Sequence, residues 1–122
     1  MPVRIRTKDR LQGSATPTVI GEEVLLIELG NQTDDYIVEG HISLQNLQAS
    51  DIVRVNCYYT VDGFTLLISD SITVGGEQEV KAIRIPAITL PYNAKFRVGL
   101  TQLAGEVRSF PYAFIVQVME QI

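Results

Sequence analysis

Residues 52–68 read IVRVNCYYTVDGFTLLI. Within them Val53, Val55, Cys57, Tyr59 and Val61 alternate with Arg54, Asn56, Tyr58 and Thr60, which is the two-residue period of a strand with one apolar face. Asp62-Gly63 breaks the run. Both residue types tolerate positive φ, glycine most readily, so the pair predicts a tight reversal. Phe64, Leu66 and Ile68 then share one face of a returning strand. A β-hairpin is the consequence, and no 3.6-residue period competes with it.

The same alternation extends in both directions. Upstream, Tyr36, Val38, Gly40, Ile42 and Leu44 alternate with Ile37, Glu39, His41 and Ser43. Leu44 and Leu47 bracket a connection suited to plugging one end of a sandwich, and Val24 to Leu29 is a core strand stopped by Gly30 to Asp35. Downstream, Ile72 and Val74 run into Gly75-Gly76. Val80 to Ile85 is expected as a strand stopped by Pro86, with Ile88 to Leu90 as a short edge element and a turn at Pro91-Tyr92-Asn93. Lys95 to Leu103 and Tyr112 to Met119 complete the set, separated by a turn at Ala104-Gly105-Glu106. About eight short strands with regular turns predict an all-β fold, an antiparallel β-sandwich of jelly-roll type, with a small barrel as the alternative.

A chain of 122 residues, 46% hydrophobic and with a mean hydropathy of +0.15, suits one folded domain. Its apolar runs are too short for a membrane span. One cysteine excludes an intrachain disulfide. The basic residues near the N-terminus lead into the polar segment Gln12 to Thr18 rather than an apolar stretch, so an N-terminal secretion signal is not expected. The net charge of −4 is unevenly spread: residues 1–10 hold four basic groups and one acid, +3, and the rest six basic and thirteen acidic, −7. Residues 1–17 are therefore expected as an extended arm and linker, and 18–122 as the β-sandwich. In the arm, Arg4, Arg6 and Lys8 are expected on one face and Val3, Ile5 and Thr7 on the other. The basic face could meet nucleic acid or an acidic protein surface.

Catalytic chemistry finds little support. His41 and Cys57 are the only residues of their types, they fall on different strands, and no serine sits in a nucleophile elbow. Glu22-Glu23, Asp34-Asp35 and Glu77 with Glu79 read as solvated turn or edge charges. Asp34, Asp35, Glu39 and Asp62 are calcium-ligand types without a calcium-loop spacing, and Gly75-Gly76 lacks the lysine and helix context of a phosphate loop. Asn31-Gln32-Thr33 fits a glycosylation acceptor. The expectation is no enzyme, no cofactor and no metal. Tyr58, Tyr92 and Tyr112 keep a carbohydrate- or protein-binding sandwich as the alternative function.

The terminal segments point toward assembly. Phe114 and Ile115 are consecutive, so their side chains leave opposite faces of a strand and one sheet face cannot bury both. Val3, Arg4, Ile5, Arg6, Tyr112, Phe114 and Ile115 are the candidate contacts with other copies. With its N-terminal Arg4-Ile5-Arg6, its Asp62-Gly63 hairpin and its Phe110-Pro111-Tyr112 end, the chain resembles small all-β capsid, decoration and other virion structural proteins. That resemblance implies a homo-oligomer that builds or decorates a virion lattice through homotypic contacts.

Overall fold

The computed structural model describes residues 2–30, 32–77, 79 and 81–121. Their regular structure is all β: β1 (Val3–Ala15), β2 (Glu23–Leu29), β3 (Tyr36–Ser43), β4 (Ile52–Thr60), β5 (Leu66–Gly75), β6 (Ala82–Leu90), β7 (Phe96–Ala104) and β8 (Phe110–Gln121). They form two four-stranded antiparallel sheets, β1-β8-β3-β6 and β2-β7-β4-β5, arranged as a β-sandwich. Because β1 pairs with β8, β2 with β7, β3 with β6 and β4 with β5, the pairings nest around the β4–β5 connection. This nested order is the one a jelly roll would have.

The core follows from the alternation. Tyr36, Val38 and Ile42 of β3 and Phe114, Val116 and Val118 of β8 point inward from one sheet. Val53, Val55 and Cys57 of β4 and Phe96, Val98 and Leu100 of β7 meet them from the other. Each fully buried side chain of this size contributes about 1.5–3 kcal/mol. Leu44 and Leu47 are also buried and close one end as the sequence predicts. Gly40 is needed because a Cβ there would overlap the Phe114 ring.

Three local expectations are corrected. Gln12 to Ala15, expected as linker, is the last part of β1 and pairs with Phe110 to Ala113. Their small side chains serve packing rather than flexibility: a Cβ on Gly13 would lie 2.8 Å from the Tyr112 hydroxyl. Pro86 does not stop its strand, since β6 continues to Leu90. It is tolerated because β6 is an edge strand and the β3–β6 register shifts between Val38 and Gly40, where a missing N–H costs no ladder bond. The Asp62-Gly63 reversal is the loop 61–65 rather than a two-residue turn. Only Gly63 has positive φ, 84°, while the Asp62 carboxylate accepts the Phe64 and Thr65 amides at 2.8 and 2.7 Å. The expected start of a strand at Val80 and the acceptor Asn31 lie outside the described residues.

The connections gather at two ends. The first holds 16–22, 44–51, 76–77, 79, 81 and 105–109; the second holds 30, 32–35, 61–65 and 91–95, with the start of β1 and the finish of β8. Both β1 and β5 run from the second end to the first.

Candidate assembly surface

The candidate residues cluster on the β1–β8 ribbon. β1 is outermost in its sheet, and residues 3–10 are exposed on both faces. β3 pairs with β8 only from Tyr112 to Val118, so the pairs Val3 with Gln121, Arg4 with Glu120 and Ile5 with Met119 run past the third strand. Val3 and Ile5 are consequently 55% and 50% exposed. Apolar side chains left in water on an edge strand favour association with further protein surface.

The expected all-basic face is broken by a bulge. The register shifts between Ile5 and Thr7, where Arg6 is the extra residue, and one inserted residue reverses the facing of everything beyond it. Lys8, opposite Gln117, and Arg10, opposite Ile115, therefore share the outer face with Val3 and Ile5, while Arg4 does not. Arg4 Nε donates to Glu120 at 2.7 Å, and Arg6 Nε lies 3.9 Å from the same carboxylate. These exposed pairs are worth little individually. Lys8 and Arg10 take part in no ion pair among the described residues, which leaves their charge to the surroundings.

The C-terminal candidates divide as consecutive strand residues must. Phe114 is fully buried, its ring 6.0 Å from that of Tyr112, so it is a core residue rather than an external contact. Tyr112 is half-buried on the same inner face beside Gly13. Ile115 emerges on the outer face between Arg10 and Glu39, half-buried.

At the other lateral side, the sequence reading missed a second exposed edge. β5 is outermost in its own sheet and mostly exposed, with Leu67 at 47% and Ile68 at 62%. The adjoining loop exposes Val61 at 69% and Phe64 at 88%. The signal was present in Phe64, Leu66 and Ile68, but period alone does not tell a covered face from a bare one. Between the facing edges of β5 and β6 lies an open cavity of about 270 Å³, lined by Cys57, Tyr59, Asp70, Ile85, Ile88 and Phe96. Burial, with help from the Asp70 charge, pushes the Cys57 thiol up to about 11, so it is protonated and unreactive near neutrality.

Other polar groups are engaged structurally. Tyr58 donates to Glu23 at 2.5 Å and accepts from Asn56, whose carbonyl accepts from Ser71 at 2.5 Å, in a chain across the outer face of the second sheet. The Glu23 bond, with burial, holds the Tyr58 hydroxyl above its ordinary pKa. Tyr58, Tyr92 and Tyr112 occupy the outer face of β4, the connection 91–95 and the inner face of β8, so they do not form one stacking platform. His41 is on the outer face of β3 opposite Arg84, away from buried Cys57. Among the described residues no group of three or more His, Cys, Asp or Glu side chains could hold a metal ion. Among them, too, no helix is long and apolar enough to cross a membrane.

A polar lock at the first end also escaped the sequence reading. Asp51, fully buried, accepts the Gln48 amide at 2.9 Å, the Glu106 amide at 3.2 Å and Arg108 Nε at 2.7 Å. Burial opposes its ionisation, but the bonds from Arg108, Gln48 and Glu106 and the Arg108 charge outweigh it and hold the carboxyl below its usual range. Gln102, also fully buried, donates to the Ala104 and Glu106 carbonyls and accepts the Arg108 amide at 3.0 Å.

No protein-family model matches the chain, and no curated protein matches it in sequence. Solved structures do match in fold. A chain from Bacillus endospore appendages, described as a family of disulfide-linked pili, superposes with a TM-score of 0.56 at 10% identity, covering 94% of this chain and 88% of that one. Chains of infectious bursal disease virus give 0.51 at 13% identity for the Gt strain, covering 96% of this chain and 33% of that one. The Gx strain gives 0.50 at 15%, covering 98% and 32%. The chain thus spans about a third of the viral chains' length. The likeness is one of fold: this all-β sandwich is an architecture also found in pilus and virus structural proteins.

Proposed function

We propose that the protein is a non-enzymatic structural component that assembles with copies of itself through its exposed strand edges. The observation that carries this reading is β1, a 13-residue edge strand exposed on both faces over residues 3–10, with Val3 and Ile5 half out of the fold. A long, partly apolar edge offers unpaired backbone groups as a template for another strand. Val3 and Ile5 supply apolar contact, Arg4 and Arg6 supply charge, and Ile115 and Tyr112 extend the surface on either side of the ribbon. The fold likeness to pilus and virus chains favours the same reading, with a virion lattice as one setting for it.

The test is solution mass across concentration, by sedimentation or light scattering. The expected result is a mass that rises above 13.5 kDa and falls back for the paired variant V3S/I5S, whose circular dichroism stays that of the parent. A monomer at every concentration overturns the proposal. Assembly through disulfides is not expected, because the one cysteine is buried; non-reducing electrophoresis should show no covalent dimer.

A further inference from the structure

From the charge and placement of the two long edges we infer that copies join head to tail, the β1 edge of one against the β5 edge of the next. This rests on the assembly reading above and says which surfaces meet.

The sheet orders put β1 at one lateral side of the sandwich and β5 at the other, in different sheets. Their charges are opposite. Residues 1–10 carry four basic groups and one acid, whereas residues 61–81 carry four acids, Asp62, Asp70, Glu77 and Glu79, and one base, Lys81, 3.6 Å from Glu77. Pairing β1 with β1 sets two positive edges together, and pairing β5 with β5 sets two negative ones together. Only the mixed contact is attractive in charge. The two remaining edge strands are poorer templates: β6 is interrupted by Pro86, and β2, seven residues long, is shorter than β1 or β5 and lies beside β1.

The geometry accommodates the contact. Because β1 and β5 run toward the same end, a half-turn about the axis crossing the strands carries β1 of one copy into the layer of β5 of the next with its direction reversed, which permits antiparallel pairing. Ile68 and Leu67 on β5 and Val3 and Ile5 on β1 supply apolar surface to both partners. Asp70, at the mouth of the β5–β6 cavity, adds negative charge on the inner side of the joined edge, while Lys8 and Arg10, in no ion pair among the described residues, bring positive charge on its outer side. A contact between two different surfaces leaves one of each free after every addition, so it continues into a filament or closes as a ring.

Charge-reversal variants made in the full chain test this. K8E/R10E alters only the β1 edge, and D70K/E79K only the β5 side. With circular dichroism confirming that both fold, each alone should self-associate about tenfold more weakly than the parent at low salt. Mixed in equal amounts they should co-assemble, since the intact β1 edge of one meets the intact β5 edge of the other, and the two reversed edges, acidic on β1 and basic on β5, are again opposite in charge. If the parent assembles but the mixture does not recover, or if either variant associates as strongly as the parent, the head-to-tail contact is overturned while self-assembly stands. A parent that stays monomeric overturns both.

Discussion

The two ends of the sandwich are built on different principles. At the first, one buried residue ties three connections together: the Asp51 carboxylate accepts from Gln48, Glu106 and Arg108, its backbone carbonyl accepts the Gly76 amide at 2.8 Å, and the adjoining Ser14 and Ser109 hydroxyls are 2.5 Å apart. At the second, the connections are held by separate bonds rather than by one shared group: the Asp35 carboxylate accepts the Tyr92 amide at 3.2 Å and the Thr60 hydroxyl accepts the Lys95 amide at 2.9 Å. Gln32 donates its amide to the Tyr92 carbonyl, buried Tyr36 donates its hydroxyl to the Ala94 carbonyl, and the loop 61–65 is organised by Asp62 alone. Around it Phe64, Val61 and Tyr92 stand in solvent at 88%, 69% and 58% exposure. An end whose polar bonds converge on one group loses much when that group is removed. An end held by separate single bonds, with exposed apolar side chains already in water, loses little at any one of them.

The largest effect should come from the lock. Asp51→Ala leaves two amides and the Arg108 guanidinium without their acceptor, and equilibrium unfolding should show a loss of about 2–3 kcal/mol. Acid should act on the same group. Because the folded carboxyl sits below its usual range, its contribution is complete above the ordinary aspartate pKa and disappears as pH falls toward the lower folded value. The difference in stability between parent and Asp51→Ala should therefore narrow in acid; a constant difference would detach the lock from the charge of Asp51.

A smaller loss is expected at the second end from Gly63→Val. Its φ of 84° is a conformation that β-branched residues rarely adopt, at a cost of about 1–2 kcal/mol. Nothing but Asn93 lies near the site, so strain rather than collision sets the effect. A loss as large as that for Asp51→Ala would erase the contrast between the ends. Smallest of all, Phe64→Ser should change monomer stability by no more than about 0.5 kcal/mol, because the side chain is already in solvent. A change of several times that size would show that Phe64 is covered in solution.

What the sequence made legible follows a division between local and distant causes. β3, β4, β7 and β8 could be read because their two-residue alternation is strict and one face is buried. The glycine turns at Gly63, Gly76 and Gly105 were readable because positive φ is a local demand. β1 beyond Leu11 was hidden because Gly13, Ser14 and Ala15 look like linker until Tyr112 is placed against them. Pro86 suggested a stop because nothing local marks its strand as an edge. The Arg6 bulge, which moves Lys8 and Arg10 to the face of Val3 and Ile5, has no signature in residue type. The lock joins Asp51, Gln102 and Arg108, polar residues far apart in the chain that no periodicity connects. Of the assembly candidates, Phe114 and Ile115 were separable in facing but not in destination, because either face of β8 could have been the covered one.

The nesting of the strand pairs has a consequence for how the chain reaches this fold. The β4–β5 pair closes across a loop of a few residues, whereas β1 and β8 must meet across nearly the whole chain. Pairings so distant in sequence are slow to form, because the entropy of closing the intervening chain is lost before any contact compensates it. During synthesis β1 leaves the ribosome ahead of β2 to β8 and waits for β8, its one sheet neighbour among the described residues, until the six strands between them have been made. Throughout that interval both of its edges are open, so crowded nascent chains can pair wrongly through β1 before any one of them has closed its own sandwich.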